Sequence, residues 1–272
     1  MNSACNGYCS FCHQEGSIVK TPMAINTVFA FMEAANRLGI NDVTLTGGEP
    51  TLRPDLFTII NGITEKYPNI QLALTTNGLN LSKTGSLIHN PISKINLSII
   101  SLKDELAKMY QNVSPLSAID DLVAFPAAKK NLNIVMLDDN YLEIDDFLNI
   151  SKEKHISLDL LFGNLVDQRI EAYVFDRIAK LGSAVIEGFI TPTLKVRIGE
   201  GICLRVKHPM YSSKIQPSIC QNCPEKSDCF ERACAVRVYA DGRATPCLSG
   251  RISSIDDDCF ENLKKIYQII SV

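Results

Sequence analysis

Apolar residues along this 272-residue chain follow two alternating periods. Between Pro22 and Leu38, the residues Ile25, Val28, Phe29, Met32, Ala35 and Leu38 recur at three- and four-residue steps, which predicts an amphipathic helix. Asp42–Thr46 is short, apolar and β-branched, which predicts a strand stopped by the turn Gly47-Gly48-Glu49-Pro50. The exchange then repeats. A helix is predicted over 55–67 and a strand over 70–76, stopped by Asn77-Gly78. Strands follow over 94–99, 131–137 and 156–162, with helices over 103–111 and 142–152. Strand then helix, with short connections, predicts parallel strands joined by right-handed crossovers. Strands this nearly apolar predict a sheet covered by helices. Chemistry in such folds gathers at the carboxyl ends of the strands. The turns Gly47–Pro50 and Thr75-Thr76-Asn77-Gly78 both fall on that edge and should face one cavity.

From about residue 185 the segments shorten and helical periodicity fades, which places a boundary near residue 190, between 1–190 and 191–272. Beyond it, Arg237–Ala240 and Arg243–Thr245 flank Asp241-Gly242, the signature of a hairpin, and a last helix is predicted over 257–270. No internal repeat is apparent.

Composition adds exclusions. The chain is 46% hydrophobic and 21% charged, with 27 basic against 30 acidic residues, so it reads as a soluble globular protein without a basic footprint for nucleic acid or anionic membrane. It has no apolar run of membrane-spanning length and no opening signal segment, so the expected location is cytoplasmic. Ten cysteines change the picture: three fall in 5–12, five in 220–247, and none between 13 and 202. That distribution excludes a secreted disulfide scaffold and points to metal. Cys203 and Cys259, outside both groups, are expected to be structural.

Cys5, Cys9 and Cys12 have the spacing C-x3-C-x2-C. Three thiolates on one short loop suit three corners of a four-iron, four-sulfur cluster and leave its fourth iron open to a small molecule. Zinc is the other chemistry such thiols allow, although it wants four ligands, and His13 follows Cys12 so directly that the chelate would be cramped.

This spacing, with the aromatic Phe11 before the third cysteine, resembles the signature of the radical S-adenosylmethionine (SAM) enzymes. The Gly47-Gly48-Glu49-Pro50 turn is similar to that family's glycine-rich segment, which holds the SAM amino group. The resemblance implies an α/β fold of the partial (β/α)6-type TIM barrel class. It also implies SAM on the open iron, a 5′-deoxyadenosyl radical when the reduced cluster splits it, and an electron donor such as flavodoxin or ferredoxin. Further SAM contacts are implied for Thr76 and Asn77, beside Thr75 and Gly78, and for Ser98 and Asn133. Glu49, after two flexible glycines, suits a carboxylate set beside an ammonium; helix capping is its plainer reading. Hydrogen bonding within the barrel is the plainer reading of the polar strand residues.

Cys220, Cys223, Cys229, Cys234 and Cys247 form the second group, with the spacing C-x2-C-x5-C-x4-C-x12-C. A zinc ribbon suits part of this pattern. The radical SAM resemblance implies instead an auxiliary 4Fe-4S cluster on Cys220, Cys223, Cys229 and Cys247, with Cys234 as the alternative ligand. The run Val236–Leu248 resembles the C-terminal segment of the GTP 3′,8-cyclases of molybdenum-cofactor biosynthesis, and Cys12-His13-Gln14-Glu15-Gly16 is similar to a run in the same family. That likeness covers nearly the whole chain and implies a small auxiliary-cluster domain (twitch/SPASM-like) over 191–272.

Departures concern the substrate. Where the cyclases place cations for the triphosphate, this chain has Asp42, Thr44 and Asp159, and acidic groups repel phosphates. Of two arginines expected near the guanine, Arg237 remains and the other place is Ala235. The chain ends Ile270-Ser271-Val272 without the Gly-Gly tail, and only four residues precede Cys5 where a first barrel strand is expected. The expected reaction is hydrogen abstraction followed by rearrangement or cyclisation of a nucleotide-like small molecule. The alternative is a peptide-modifying maturase, against which the lack of room for a leader-binding module weighs. A cluster-bearing binding protein without turnover is the reading of a different class. Arg205, Lys207 and His208 form a basic group whose plainer reading is a solvated face; Tyr211 and Tyr239 are expected to be structural.

Overall fold

The computed structural model describes residues 1, 4–9, 12, 21–162, 167–187, 193–208, 218–224, 235–247, 253–255 and 257–270. The predicted alternation gives strands β1 (Asp42–Leu45), β2 (Gln71–Thr76), β3 (Ile92–Ser98), β4 (Ala127–Val135) and β5 (Ser157–Leu161). They pair in sequence order and all run parallel. Helices α1 (Ile25–Arg37), α2 (Leu56–Lys66), α3 (Leu81–Gly85), α4 (Asp104–Gln111), α5 (Pro115–Ala124) and α6 (Ile144–Lys154) fill the crossovers, and α7 (Gln168–Ala179) follows β5. The apolar stripe foreseen on the first helix is its buried face, with Val28, Phe31, Met32, Ala34 and Ala35 turned inward.

Three further strands, β6 (Ala184–Glu187), β7 (Thr193–Gly199) and β8 (Ile202–Lys207), complete an eight-stranded sheet in the order β1-β2-β3-β4-β5-β8-β7-β6. β8 joins β5 in parallel, while β7 and β6 are antiparallel additions. Six strands are thus parallel, the sixth being β8; among the described residues no strand precedes Cys5. The change of pattern near residue 190 falls between β6 and β7, which pair with each other, so the sheet runs across it.

The strands are apolar on one face only. Leu72 and Leu74, Ile95 and Leu97, Leu132 and Ile134, and Leu158 and Leu160 are at most 1% exposed and pack into one core. Each such side chain contributes roughly 2 kcal/mol by leaving water. The alternate positions Thr75, Lys94, Asn96, Asn133 and Asp159 line the inside of the curled sheet. Period-two alternation therefore separates a structural face from a polar interior.

Past the sheet lie α8 (Ser218–Gln221), the short strands β9 (Arg237–Val238) and β10 (Ala244–Thr245), and α9 (Cys259–Ile270). The predicted hairpin forms: β9 and β10 are antiparallel, Gly242 takes φ +85°, and its amide donates to the Tyr239 carbonyl at 3.0 Å. Asn262 of α9 donates to the Gly242 carbonyl at 2.7 Å, and Phe260 lies 3.8 Å beneath the Arg37 guanidinium of α1. No helix among the described residues is long and apolar enough to cross a membrane.

Candidate functional site

β1 and β2 pair through Leu45 and Leu74, so the turns after them emerge side by side. Glu49 folds back between the two turns and is 1% exposed. Its Oε1 accepts from the Thr51 amide (2.9 Å), the Thr51 hydroxyl (2.7 Å) and the Thr76 hydroxyl (2.6 Å). Its Oε2 accepts from the Asn77 amide at 2.7 Å. These four donors are neutral, so they fix the carboxylate without bringing positive charge. Gly78 has φ +91°, and a Cβ there would stand 2.9 Å from Leu97 and 3.0 Å from Ala118. Only glycine makes the turn that lays the Asn77 amide on Glu49.

The first cysteine loop is fastened onto this edge. The Glu49 amide donates to the Ala4 carbonyl (2.7 Å), Asn77 Nδ2 to Asn6 Oδ1 (2.8 Å), and Asn6 Nδ2 to the Gln111 carbonyl (2.9 Å). The Tyr8 amide donates to the Tyr110 carbonyl at 2.7 Å. Gln111 is itself held across the exit of β3: its Oε1 accepts from the Ile100 amide and its Nε2 donates to the Ser98 carbonyl. A Cβ at Gly7 would lie 3.1 Å from the Tyr110 oxygen, so the approach of loop to helix needs glycine there.

Arg53 closes the neck of the segment that carries the cysteines. Its side chain is 2% exposed and forms a two-pronged pair with Asp55, Nε to Oδ1 at 2.7 Å and Nη2 to Oδ2 at 2.8 Å. Its Nη1 donates to the Met23 carbonyl at 2.7 Å and the Met1 carbonyl at 3.1 Å. Met1 and Met23 are also joined directly, amide of Met23 to carbonyl of Met1 at 3.1 Å. Sequence reading passed over Arg53. Its position just after the Gly47–Pro50 turn was the available signal.

Burial, first of all, pushes the Cys5 thiol up, with the charges of Glu49 and Cys12 adding to it. The Cys9 thiol is pushed up to about 11, again chiefly by burial, then by Cys12 and Cys5. A metal's positive charge reverses such a bias and favours thiolate. Among the described residues no three His, Cys, Asp or Glu side chains are already gathered as a metal site. The donor set still fits an iron–sulfur cluster: three thiols on one tether, mutually coupled, with the Cys12 amide turned onto the Cys9 carbonyl at 3.0 Å.

Inside the curled sheet lies a cavity of about 410 Å3 lined by the polar faces of β1–β5 and β8. Asp159 sits in its wall, 2% exposed, with Arg205 Nε at 2.6 Å, Lys207 Nζ at 3.8 Å and Lys94 Nζ at 3.9 Å. Arg205 also donates to Asn131 Oδ1 at 2.7 Å, and Asn131 to Asn133 Oδ1 at 2.7 Å. Ser98 and Asn133 are register partners on β3 and β4, and Asn133 lines the cavity. The solvated-face reading fits Lys207, whose side chain is 52% exposed where it lines the cavity, and is corrected for Arg205, which is paired with the buried Asp159. His208 packs against Phe162 and Phe175 and lies 2.9 Å from Glu171, with its side chain 8% exposed.

Of the second cysteine group, Cys220 is buried in α8, the Cys223 amide donates to the Cys220 carbonyl at 3.4 Å, and Cys247 follows β10, half-buried. Arg237 lies on β9 opposite Thr245. Cys229, Cys234 and Tyr211 lie outside the described residues, as do Phe11 and the run 13–16. Cys203 on β8 and Cys259 on α9 are half-buried. Tyr239 is buried beneath the Arg243 guanidinium, as a structural residue would be.

A curled parallel sheet with a cysteine loop strapped over its carboxyl edge defines a class. Residues 1–149, more than half of the chain, match the Radical SAM superfamily, and the chain belongs to it. Membership of this enzyme superfamily implies SAM and a four-iron, four-sulfur cluster.

Within that class, its curated relatives include a probable GTP 3′,8-cyclase of Thermoplasma volcanium, 32% identical over 174 residues, which are 59% of this chain and 51% of that one. Another is the GTP 3′,8-cyclase of Sulfurimonas denitrificans, 25% identical over 264 residues, or 90% of this chain and 77% of that one. The chain spans about half the length of the first of these. Among solved structures, Streptococcus suis SuiB bound to S-adenosylmethionine aligns with a TM-score of 0.66 at 17% identity, covering 99% of this chain and 66% of that one. SuiB bound to precursor peptide SuiA gives 0.68 at 15% identity, covering 98% and 62%. At these identities the likeness is one of fold.

Proposed function

We propose that the chain is a radical SAM enzyme acting on a nucleotide-like small molecule, by hydrogen abstraction followed by rearrangement or ring closure. The observation that carries the reading is the strapping of the Cys5–Cys12 loop onto the Glu49 edge of a sheet whose inner face lines a polar cavity. When bound, the reduced cluster supplies the electron that splits SAM and yields a 5′-deoxyadenosyl radical. Cys5, Cys9 and Cys12 would hold that cluster. Gly47 and Gly48 leave the backbone before Glu49 without side chains, and the fixed negative charge of Glu49 favours an ammonium group beside it. Thr76 and Asn77 hold Glu49 in place, while Pro50 starts the turn that carries Thr51. Asn133 lines the cavity and Ser98 is its register partner at the end of β3, so the two would meet SAM between this edge and the reacting carbon.

A cavity of about 410 Å3 suits a small molecule, and the 25% identity to a GTP 3′,8-cyclase over 90% of the chain supports the same class. Cys220, Cys223 and Cys247, with Cys229 or Cys234, would hold a second 4Fe-4S cluster, and Arg237 beside them would meet the substrate. A reduced flavodoxin or ferredoxin would deliver the electron, in the cytoplasm. The test is anaerobic reconstitution with SAM, a reductant and candidate substrates, nucleotides and peptides separately, reading 5′-deoxyadenosine. Nucleotide-dependent product is expected, and peptide-dependent product would replace the small-molecule reading. Product that persists after Cys5, Cys9 and Cys12 are changed to alanine would remove the mechanism. Roughly eight irons per chain are expected, and about four irons with one zinc would sink the second cluster.

A further inference from the structure

The three places where a triphosphate would find cations hold Asp42, Thr44 and Asp159, yet the cavity they line is not acidic. Lys94 from β3, Lys129 from β4 and Lys207 from β8 line it as well, and Arg205 stands behind Asp159. Positive charge has moved to other strands. Among the described residues at this cavity, four cations face two carboxylates, an excess of two charges. Asp159 binds three of those cations at once, so one carboxylate sets their positions without balancing them.

A second observation is independent of charge. Asn96 lines the same cavity and is 8% exposed; its Nδ2 donates to Thr75 Oγ1 at 3.2 Å, but its Oδ1 has no hydrogen-bond partner. A buried polar atom left so is costly, and at a residue that lines a cavity a ligand donor would relieve that cost. Burial also lowers the pKa of Lys94; Asp159 opposes the shift, and Arg205, Lys207 and Lys129 add to it. An anion among these groups would relieve it.

We propose that this cavity is a receptor for a single phosphate monoester, with Lys94, Lys129 and Lys207 as its cations and Asn96 Oδ1 taking a hydroxyl or N–H next to the phosphate. This rests on the reading above that the substrate is a nucleotide-like small molecule. A phosphate monoester carries a charge of about −1.5 to −2 at pH 7, which matches the excess, whereas a triphosphate carries about twice as much. The receptor therefore separates this chain from an enzyme built around a triphosphate.

The test is equilibrium binding of guanosine monophosphate, GTP, inorganic phosphate and succinate to the reconstituted holoenzyme, by calorimetry at fixed salt. Guanosine monophosphate should bind at least as tightly as GTP, and inorganic phosphate should compete with it while succinate does not. Lys129→Gln and Lys207→Gln should each weaken monophosphate binding by about threefold to tenfold. Asp159→Asn, checked for folding by urea denaturation, should shift preference towards GTP. GTP binding tenfold tighter than the monophosphate, unchanged binding in both lysine variants, or equal competition by succinate would each overturn the proposal. Reductant-driven 5′-deoxyadenosine formation on the same preparation keeps the two readings apart. If SAM is cleaved but phosphate does not bind, only the receptor fails; if phosphate binds and SAM is never cleaved, the radical reading fails.

Discussion

Glu49 and Asp159 are both buried carboxylates, 1% and 2% exposed, yet the donors described around them differ in charge. Glu49 is positioned by two amides and two hydroxyls, all neutral donors. Asp159 is surrounded by an arginine and two lysines, so the region around it is positive. What decides the sign of a buried site is therefore the charge of the donors, and not the residue they surround. On the readings proposed above, one edge would take an ammonium and the neighbouring cavity an oxyanion. A cofactor amino group and an acidic substrate could thus be sorted before either reacts.

The strongest way to break this contrast is Glu49→Gln. A carboxamide there keeps one accepting oxygen but turns N–H groups on the donors that faced the other, and the expected cost is about 3 kcal/mol of stability, read by urea denaturation, with a loss of SAM affinity of more than about tenfold. Next is Arg53→Met, which strands Asp55 and two carbonyls. It should cost about 3 kcal/mol and lower iron content per chain after reconstitution, without altering the binding of phosphate. Gly78→Ala forces a side chain into φ +91° against Leu97 and Ala118 and should cost about 2 kcal/mol, sharpening the role of the turn.

A smaller effect concerns pH. The lowered pKa of Lys94 means it loses its proton at a lower pH than an ordinary lysine. Phosphate binding should be strongest between the second ionisation of the phosphate, at about pH 6, and the Lys94 pKa, and fade as pH rises through the latter, earlier than at an unperturbed ammonium; Lys94→Gln should flatten that upper limb. Asp159, Arg205, Lys207 and Lys129 face this amine, and none of them reverses the sign. The smallest effect is expected from Lys154→Gln, whose exposed pair with Asp120 lies apart from both sites and should leave phosphate binding and melting temperature unchanged.

The Glu49 edge was legible because its parts are local. Two turns at strand ends, with three cysteines on one loop, declare themselves within short strings, and parallel pairing brings them together. Even there, the partners of Glu49 needed the register of β1 against β2. The cavity was far less legible. Arg205 and Asp159 are 46 positions apart, and Lys94 reaches Asp159 only because the sheet curls. Arg205, in a segment without a clear period, reads as surface when considered singly, although Arg205 and Lys207 stand two apart and must share a strand face. β6, β7 and β8 escaped for the same reason, since their length and mixed polarity resemble loops until they pair. Cations read one by one at aligned positions suggested a site that repels phosphate. Read as a set, they suggest the opposite.

The neck that Arg53 closes has a bearing on how three thiols come to share one guest. With Met1 and Met23 tied together, the intervening chain can no longer carry its cysteines far from the strand edge. Were Cys5, Cys9 and Cys12 to hold the cluster, capture by one thiolate would make the other two captures intramolecular, at an effective concentration in the millimolar range or above for tethers this short. Loading would then be a chelate effect set by the spacing of the three thiols, on a loop whose ends the buried Arg53 guanidinium holds together.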